Sequence, residues 1–130
     1  MPIPVSARDI VAGLAAKAPG LELLVLHGSR ARGDAGAASD WDLAYLADGR
    51  FDPDGFLADL VLGFRTDHVD LSRLSGASGL FRYRVARDGE PLFEAEDGAF
   101  ARFWFDAVSF WCDAEPLLRS GYEAILEEYS

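Results

Sequence analysis

The sequence predicts an α/β (α+β) domain in which a small mixed β-sheet is flanked by helices. Three observations carry that expectation. Segments whose apolar residues recur at helical spacing alternate with short segments of strand character. One run, Leu21-Glu22-Leu23-Leu24-Val25-Leu26, is nearly all apolar and is bounded by glycines, as a buried strand is. Half of the 130 residues are hydrophobic and 12% are aromatic, enough for a real core and against intrinsic disorder. A single domain over 1–130 is expected, with a core over about 6–94 and a C-terminal helical segment over about 97–130.

In chain order, Ser6 is placed to cap a first helix whose Ile10, Val11, Leu14 and Ala15 share one face, ending near Pro19-Gly20. The apolar run Leu21–Leu26 then forms the first strand and stops at Gly28. Trp41 to Leu46 reads as a second strand, with Trp41, Leu43 and Tyr45 on one face and Asp42, Ala44 and Leu46 on the other. After the turn-rich stretch from Asp48 to Pro53, a short amphipathic helix is expected at Asp54–Phe64. His68 to Leu74 is the third strand, with His68, Asp70 and Ser72 on one face. Helices follow at about Ala77–Arg87 and from about Asp97, and Pro91-Leu92-Phe93 between them reads as an edge strand.

Twelve basic against 22 acidic side chains leave a net charge of −10. Such a balance repels phosphate backbones, so direct nucleic-acid binding through a basic face is not expected; phosphate must be gripped locally. One cysteine, Cys112, cannot form an intramolecular disulfide and reads as a small buried hydrophobe on its helix. Residues 1–5 lack the charged start and apolar run of a signal peptide, and no apolar stretch approaches the roughly 20 residues that cross a bilayer. A cytoplasmic protein with no membrane partner is expected.

The chemistry is concentrated in His27-Gly28-Ser29-Arg30-Ala31-Arg32-Gly33 and, after a spacer, Asp40-Trp41-Asp42-Leu43. Gly28, at a strand end, lets the backbone turn tightly and approach a ligand, while Ser29 can cap a short helix and offer its hydroxyl and N–H to an anion. Arg30 and Arg32 add positive charge beside that turn. Asp40 and Asp42 lie at i and i+2 at a strand start, so their carboxylates leave the same face with Cα atoms roughly 6–7 Å apart. Asp70 on the third strand joins them if that strand pairs beside the second. Such a cluster suits Mg²⁺, which binds a few carboxylates together with substrate phosphates. His27 reads as a structural neighbour of this group, and His68 either orients Asp70 or stands in solvent.

Gly28-Ser29, the ten-residue spacer, Asp40-x-Asp42 and Asp70 together resemble the signature of the DNA polymerase β-like nucleotidyltransferases, and Ala31-Arg32-Gly33 with Ser39-Asp40-Trp41-Asp42-Leu43 resembles its minimal nucleotidyltransferase (MNT) version. Val69-Asp70-Leu71 and Arg87-Asp88-Gly89-Glu90-Pro91-Leu92-Phe93-Glu94 extend the likeness over most of the chain. Gly79 stands where the family pattern has Pro. The resemblance implies the polymerase β-like fold, nucleotide binding by Gly28, Ser29, Arg30 and Arg32, and a catalytic, metal-holding triad of Asp40, Asp42 and Asp70 with two Mg²⁺ ions. It further implies an antitoxin that transfers AMP from ATP to a tyrosine of a cognate HEPN ribonuclease toxin. Two alternatives stand beside it: a binding module that neutralises the toxin by occlusion, and a nucleotidyltransferase acting on a small molecule or RNA.

From Phe100 onward, Phe103, Trp104, Ala107, Val108 and Trp111 follow helical spacing, and Phe105, Cys112 and Phe110 widen the apolar arc. So wide an arc implies a helix covered on more than one side. Either the domain's own core covers it, or part of it docks a partner or a second copy in a homo- or hetero-oligomer.

Overall fold

The structure, a computed structural model, describes residues 5–33 and 40–113. Its elements run α1 (Val5–Ala16), β1 (Leu21–His27), α2 (Gly28–Arg32), β2 (Trp41–Ala47), α3 (Pro53–Phe64), β3 (Val69–Arg73), α4 (Gly79–Asp88) and β4 (Glu90–Glu94). Residues 99–113 continue as a further helix, α5. The spacer at 34–39 and the expected continuation of the last helix beyond 113 lie outside the described residues. So does the side chain of Ser6, although the helix already includes Val5, which puts Ser6 inside its first turn and not at a cap.

Four strands form one mixed sheet in the order β3-β2-β1-β4. β1 pairs antiparallel with both β2 and β4, which makes β4 the expected edge strand, and β2 pairs parallel with β3. A parallel pair needs a long crossover, and α3 supplies it. Asp52 caps that helix by accepting from the Gly55 N–H at 3.1 Å, with Pro53 next in line, where a missing N–H costs nothing. Ser78 caps α4 in the same way through the Phe81 N–H at 3.1 Å.

Alternation along the strands divides the core in two. Leu24, Leu26, Leu43 and Tyr45 face α1 and α3, meeting Val11, Ala15, Phe56 and Leu60. Leu23, Val25 and Ala44 face the other way, onto Val85 and Ala86 of α4 and Phe103 and Ala107 of α5. Because β1 feeds both layers, its residues 23 to 26 are wholly buried, which is why the run is apolar without alternation.

On the last helix the domain's own core covers only part of the expected apolar arc. Phe103 and Ala107 are buried, but among the described residues Trp104, Phe105 and Phe110 are 45%, 64% and 57% exposed, so one narrow stripe and not a wide arc packs on the sheet. Cys112 is exposed as well, contrary to its reading as a buried hydrophobe, because it lies off the Phe103–Ala107 stripe. Gly79 finds its reason here. The edge of the Phe110 ring lies over it, and a Cβ at that position would stand 2.6 Å from a ring carbon, so α5 reaches the start of α4 only over a residue without a side chain.

Truncating Leu43, wholly buried in the α1/α3 layer, removes packing on every side; Leu43→Ala should cost about 2–5 kcal/mol in urea unfolding. Losing the α4 cap in Ser78→Ala should cost about 1 kcal/mol.

Candidate active site

β1 ends at His27, and its last register pair is His27 with Asp42 of β2; Asp42 is in turn paired with Asp70 of β3. Residues aligned across neighbouring strands present their side chains on the same face. His27, Asp42 and Asp70 therefore form one row on the α4/α5 side of the sheet. Asp40 joins that side two residues before Asp42, where the Trp41 N–H donates to the His68 carbonyl at 2.8 Å and prolongs the pairing. The three acidic positions expected to converge thus share one end and one face of the sheet.

Each carboxylate has a different neighbour. Asp40 accepts or shares a proton with Nδ1 of His68 at 3.2 Å, so His68 orients Asp40 and not Asp70 as the strand pattern suggested. Asp70 accepts from the Ser72 hydroxyl at 3.0 Å. Asp42 packs directly over Gly28: a Cβ built on Gly28 would run into its carboxylate, with Cγ only 3.1 Å away, and Gly28 adopts φ +74°. Close approach and left-handed backbone both demand glycine there. Among the described residues no three His, Cys, Asp or Glu side chains already stand together as a ready cation cage.

Burial raises the Asp42 carboxyl above the usual value, and repulsion by Asp70 and Asp40 adds to it against the pull of His27 and Arg32. His27 is itself pushed down by burial, more than Asp42 and Asp70 pull it up, so it is neutral at pH 7 and its help to Asp42 fades there. Its Nε2 is buried without a hydrogen-bond partner, and its ring meets Phe81 of α4 edge-on at 5.5 Å. This is the structural neighbour the sequence suggested, wedged between sheet and helix.

α2 begins directly at Gly28, with His27 in the capping position and no side-chain cap; Ser29, expected as the cap, lies one residue inside the helix. Arg30 turns away from the carboxylates. Its guanidinium lies 4.1 Å above the Trp41 ring, which stacks at 4.5 Å on Phe64 of α3, so α2 is tied to the opposite face of the sheet. Arg32 remains on the carboxylate side. With His27 and Gly28 it lines a cleft of about 420 Å³ whose far wall is α4, through Phe81, Arg84 and Arg87. Arg84 carries no sequence motif and Arg87 only opens the family-like segment 87–94, and the packing of α4 beside α2 brings both to the site.

The sequence matches the polymerase beta nucleotidyltransferase family over residues 11–98. Protein adenylyltransferase MntA of Aphanizomenon flos-aquae is 35% identical over 109 residues, which span 74% of this chain and 72% of that protein. Among solved structures, a toxin–antitoxin crystal structure with AMP-PNP has the same fold, with a TM-score of 0.70 at 24% identity over 94% of this chain and 97% of that one. A tri-AMPylated Shewanella oneidensis HEPN toxin in complex with its MNT antitoxin also matches, with a TM-score of 0.64 at 23% identity over 95% of each chain.

Two outcomes follow from this geometry. Gly28→Ala must both leave a left-handed backbone and displace Asp42, so it should cost about 1–2 kcal/mol in unfolding and shift the carboxylate. Asp42, whose folded pKa is raised, binds protons more tightly folded than unfolded, so its contribution to stability falls as pH rises through the range above the usual carboxylate value. Asp42→Asn should therefore melt higher than the parent at pH 7 in metal-free buffer, by up to about 1 kcal/mol after solvent screening, and the gain should vanish in acid.

Proposed function

The chain belongs to the polymerase beta nucleotidyltransferase family and is a nucleotidyltransferase, and from that premise we propose that it transfers AMP from ATP to a tyrosine of a cognate HEPN toxin, acting as its antitoxin in the cytoplasm. The observation that carries this reading is the row Asp42–Asp70, joined by Asp40, set against a Gly28 that the Asp42 carboxylate cannot do without. The 35% identity to a protein adenylyltransferase and the fold shared with a toxin–antitoxin structure holding AMP-PNP and with a complex of a HEPN toxin and its MNT antitoxin support it.

The residues fit a divalent cation. Asp42, raised by burial and then by Asp70 and Asp40 beside it, is a carboxylate that a cation would stabilise in its charged form, and hard oxygen donors of that kind suit Mg²⁺. Asp40, Asp42 and Asp70 would hold two such ions, which when bound neutralise the triphosphate and polarise the α-phosphorus. Gly28, Ser29 and Arg32 lie at the phosphates, while Arg30 fixes α2 through Trp41. The tyrosine oxygen attacks the α-phosphorus, the bond to the β-phosphate oxygen breaks, and pyrophosphate leaves with the electron pair. Asp70, with Ser72 donating to one of its oxygens, is placed to take the phenolic proton on the other.

No helix among the described residues is long and apolar enough to cross a membrane. The acidic balance of −10 suits a basic, RNA-cutting partner better than RNA itself as acceptor.

Incubation with labelled ATP, Mg²⁺ and the product of the adjacent reading frame should label that product and silence its ribonuclease. Asp40→Asn and Asp42→Asn should abolish the label, and Asp70→Asn should slow it by about 10²–10⁴-fold, the usual weight of a lost general base. A partner inhibited but never labelled would replace transfer by occlusion, and label on RNA or a small molecule would replace the acceptor.

A further inference from the structure

Asp70 differs from the other two carboxylates in what it meets. Asp40 faces an imidazole, at Nδ1 of His68, and Asp42 lies over Gly28, whereas Asp70 accepts from a hydroxyl, that of Ser72, at 3.0 Å. A hydroxyl donating to a carboxylate at this distance is the geometry in which a nucleophile gives its proton to a base. Other hydroxyls of the chain are used differently. Thr66 and Ser78 accept from the backbone N–H groups of His68 and Phe81, which serves a turn and a helix cap. Ser72 thus reproduces, within the chain, the contact that an acceptor hydroxyl must make with Asp70.

Its position suits attack at phosphorus. Ser72 follows Asp70 by two residues on β3, so both side chains leave the face that carries the carboxylate row, and it is half-buried, in register with Ala44. In-line displacement needs the attacking and leaving oxygens on opposite sides of the phosphorus. The row runs from His27 on β1, where the Gly28 turn begins, through Asp42 on β2 to Asp70 on β3. A phosphorus over Asp42 whose leaving phosphates lie toward Gly28 therefore has β3 on its far side, one strand spacing of about 4.8 Å away. Ser72 approaches from that side.

We infer that Ser72 is a self-acceptor: with ATP and Mg²⁺ but no toxin, its Oγ takes the adenylyl group that the toxin's tyrosine otherwise takes. Oγ forms a bond to the α-phosphorus, the bond from that phosphorus to the β-phosphate oxygen breaks, pyrophosphate leaves with the electron pair, and the hydroxyl proton passes to Asp70. The inference rests on the nucleotidyl-transfer reading and adds a second acceptor to it. A phenol, with a pKa of about 10, yields its proton more readily than an alkyl hydroxyl, so a docked tyrosine is preferred. Self-transfer is the slower reaction of the chain alone, and it removes the proton that Ser72 donates to Asp70.

Intact-mass and fragment spectra of the full chain, incubated with ATP and Mg²⁺ in the absence of toxin, test this. The parent should gain an adenylyl unit located at Ser72. Ser72→Thr, which keeps a hydroxyl on a strand-forming side chain, should gain it at the same position, and Ser72→Ala should not. Asp70→Asn should slow the gain by about 10²–10⁴-fold. The location in the parent decides the matter whatever the stability of the variants. A parent that labels the toxin yet gains no unit when alone, or gains it at another residue, would reduce Ser72 to a group that orients Asp70 and overturn the inference. A parent that labels neither itself nor the toxin would overturn the transfer reading with it. A parent modified at Ser72 that leaves the toxin unlabelled would uphold this inference and remove only the toxin as acceptor.

Discussion

Strand register places Asp42 between His27 and Asp70, and the rest of the site follows from that pairing. Two carboxylates on adjacent strands repel each other, and side chains free to choose would part. They are held together because the strands beneath them are locked by apolar contacts on both faces: Leu24, Leu26 and Leu43 against α1 and α3, and Val25 and Ala44 against α4 and α5. Slipping β2 by one residue would turn Asp42 into the α1/α3 core and Leu43 out to the cleft, so the hydrophobic pattern enforces the electrostatic one. The parallel pairing of β2 with β3 needs α3 as its crossover, which makes a helix on the opposite face of the sheet a condition of the carboxylates' meeting.

The two faces of the sheet divide the labour. One is closed by α1 and α3 and is apolar almost throughout; it also receives the Arg30–Trp41–Phe64 stack that anchors α2. The other is apolar only where α4 and α5 cover it, and past Val25 and Ala44 it turns polar in a single step to His27 and Asp42. Trp41 lies between the two aspartates in sequence and on the opposite side of the strand, so adjacent residues hold the helix and offer the carboxylates without competing for space.

Much of this was legible before any coordinates. The strands at Leu21, Trp41 and Val69 and the helices at Pro53 and Gly79 lie within a few residues of where periodicity and turn residues put them, because each carries its own capping or breaking residue: Asp52 and Ser78 are caps, and Gly28 ends β1. Asp40, Asp42 and Asp70 were readable because the spacing i, i+2 fixes a face in a strand whatever surrounds it. What was not legible depends on contacts between elements distant in sequence. Arg84 and Arg87 look like the solvated side of an amphipathic helix until α4 is seen beside α2. Arg30 and Arg32 look equivalent, yet one helical step sends the first to Trp41 and the second to the cleft. Cys112 was misjudged, and how far the core covers the aromatic arc of α5 was left open, because composition says how much apolar surface a helix has, not how much its neighbours can cover.

Gly79 shows how a departure from a family pattern acquires a physical cause. A proline there would suit the first turn of α4 on propensity alone, since Ser78 already caps it and the missing N–H would cost nothing. But a ring at position 79 would occupy the space where the edge of Phe110 lies, and α5 would lose its reach over the start of α4. The chain therefore trades a preorganised helix start for a contact between the two helices that back the carboxylate face. That contact bears on the cleft, because α4 is at once part of the core and its far wall: whatever holds α4 against the sheet also sets the distance from Arg84 and Arg87 to Gly28. The polar end of the sheet is thus only as well defined as the apolar packing behind α4, and α5, which contributes Phe103 and Ala107 to that packing, belongs to the geometry of the site.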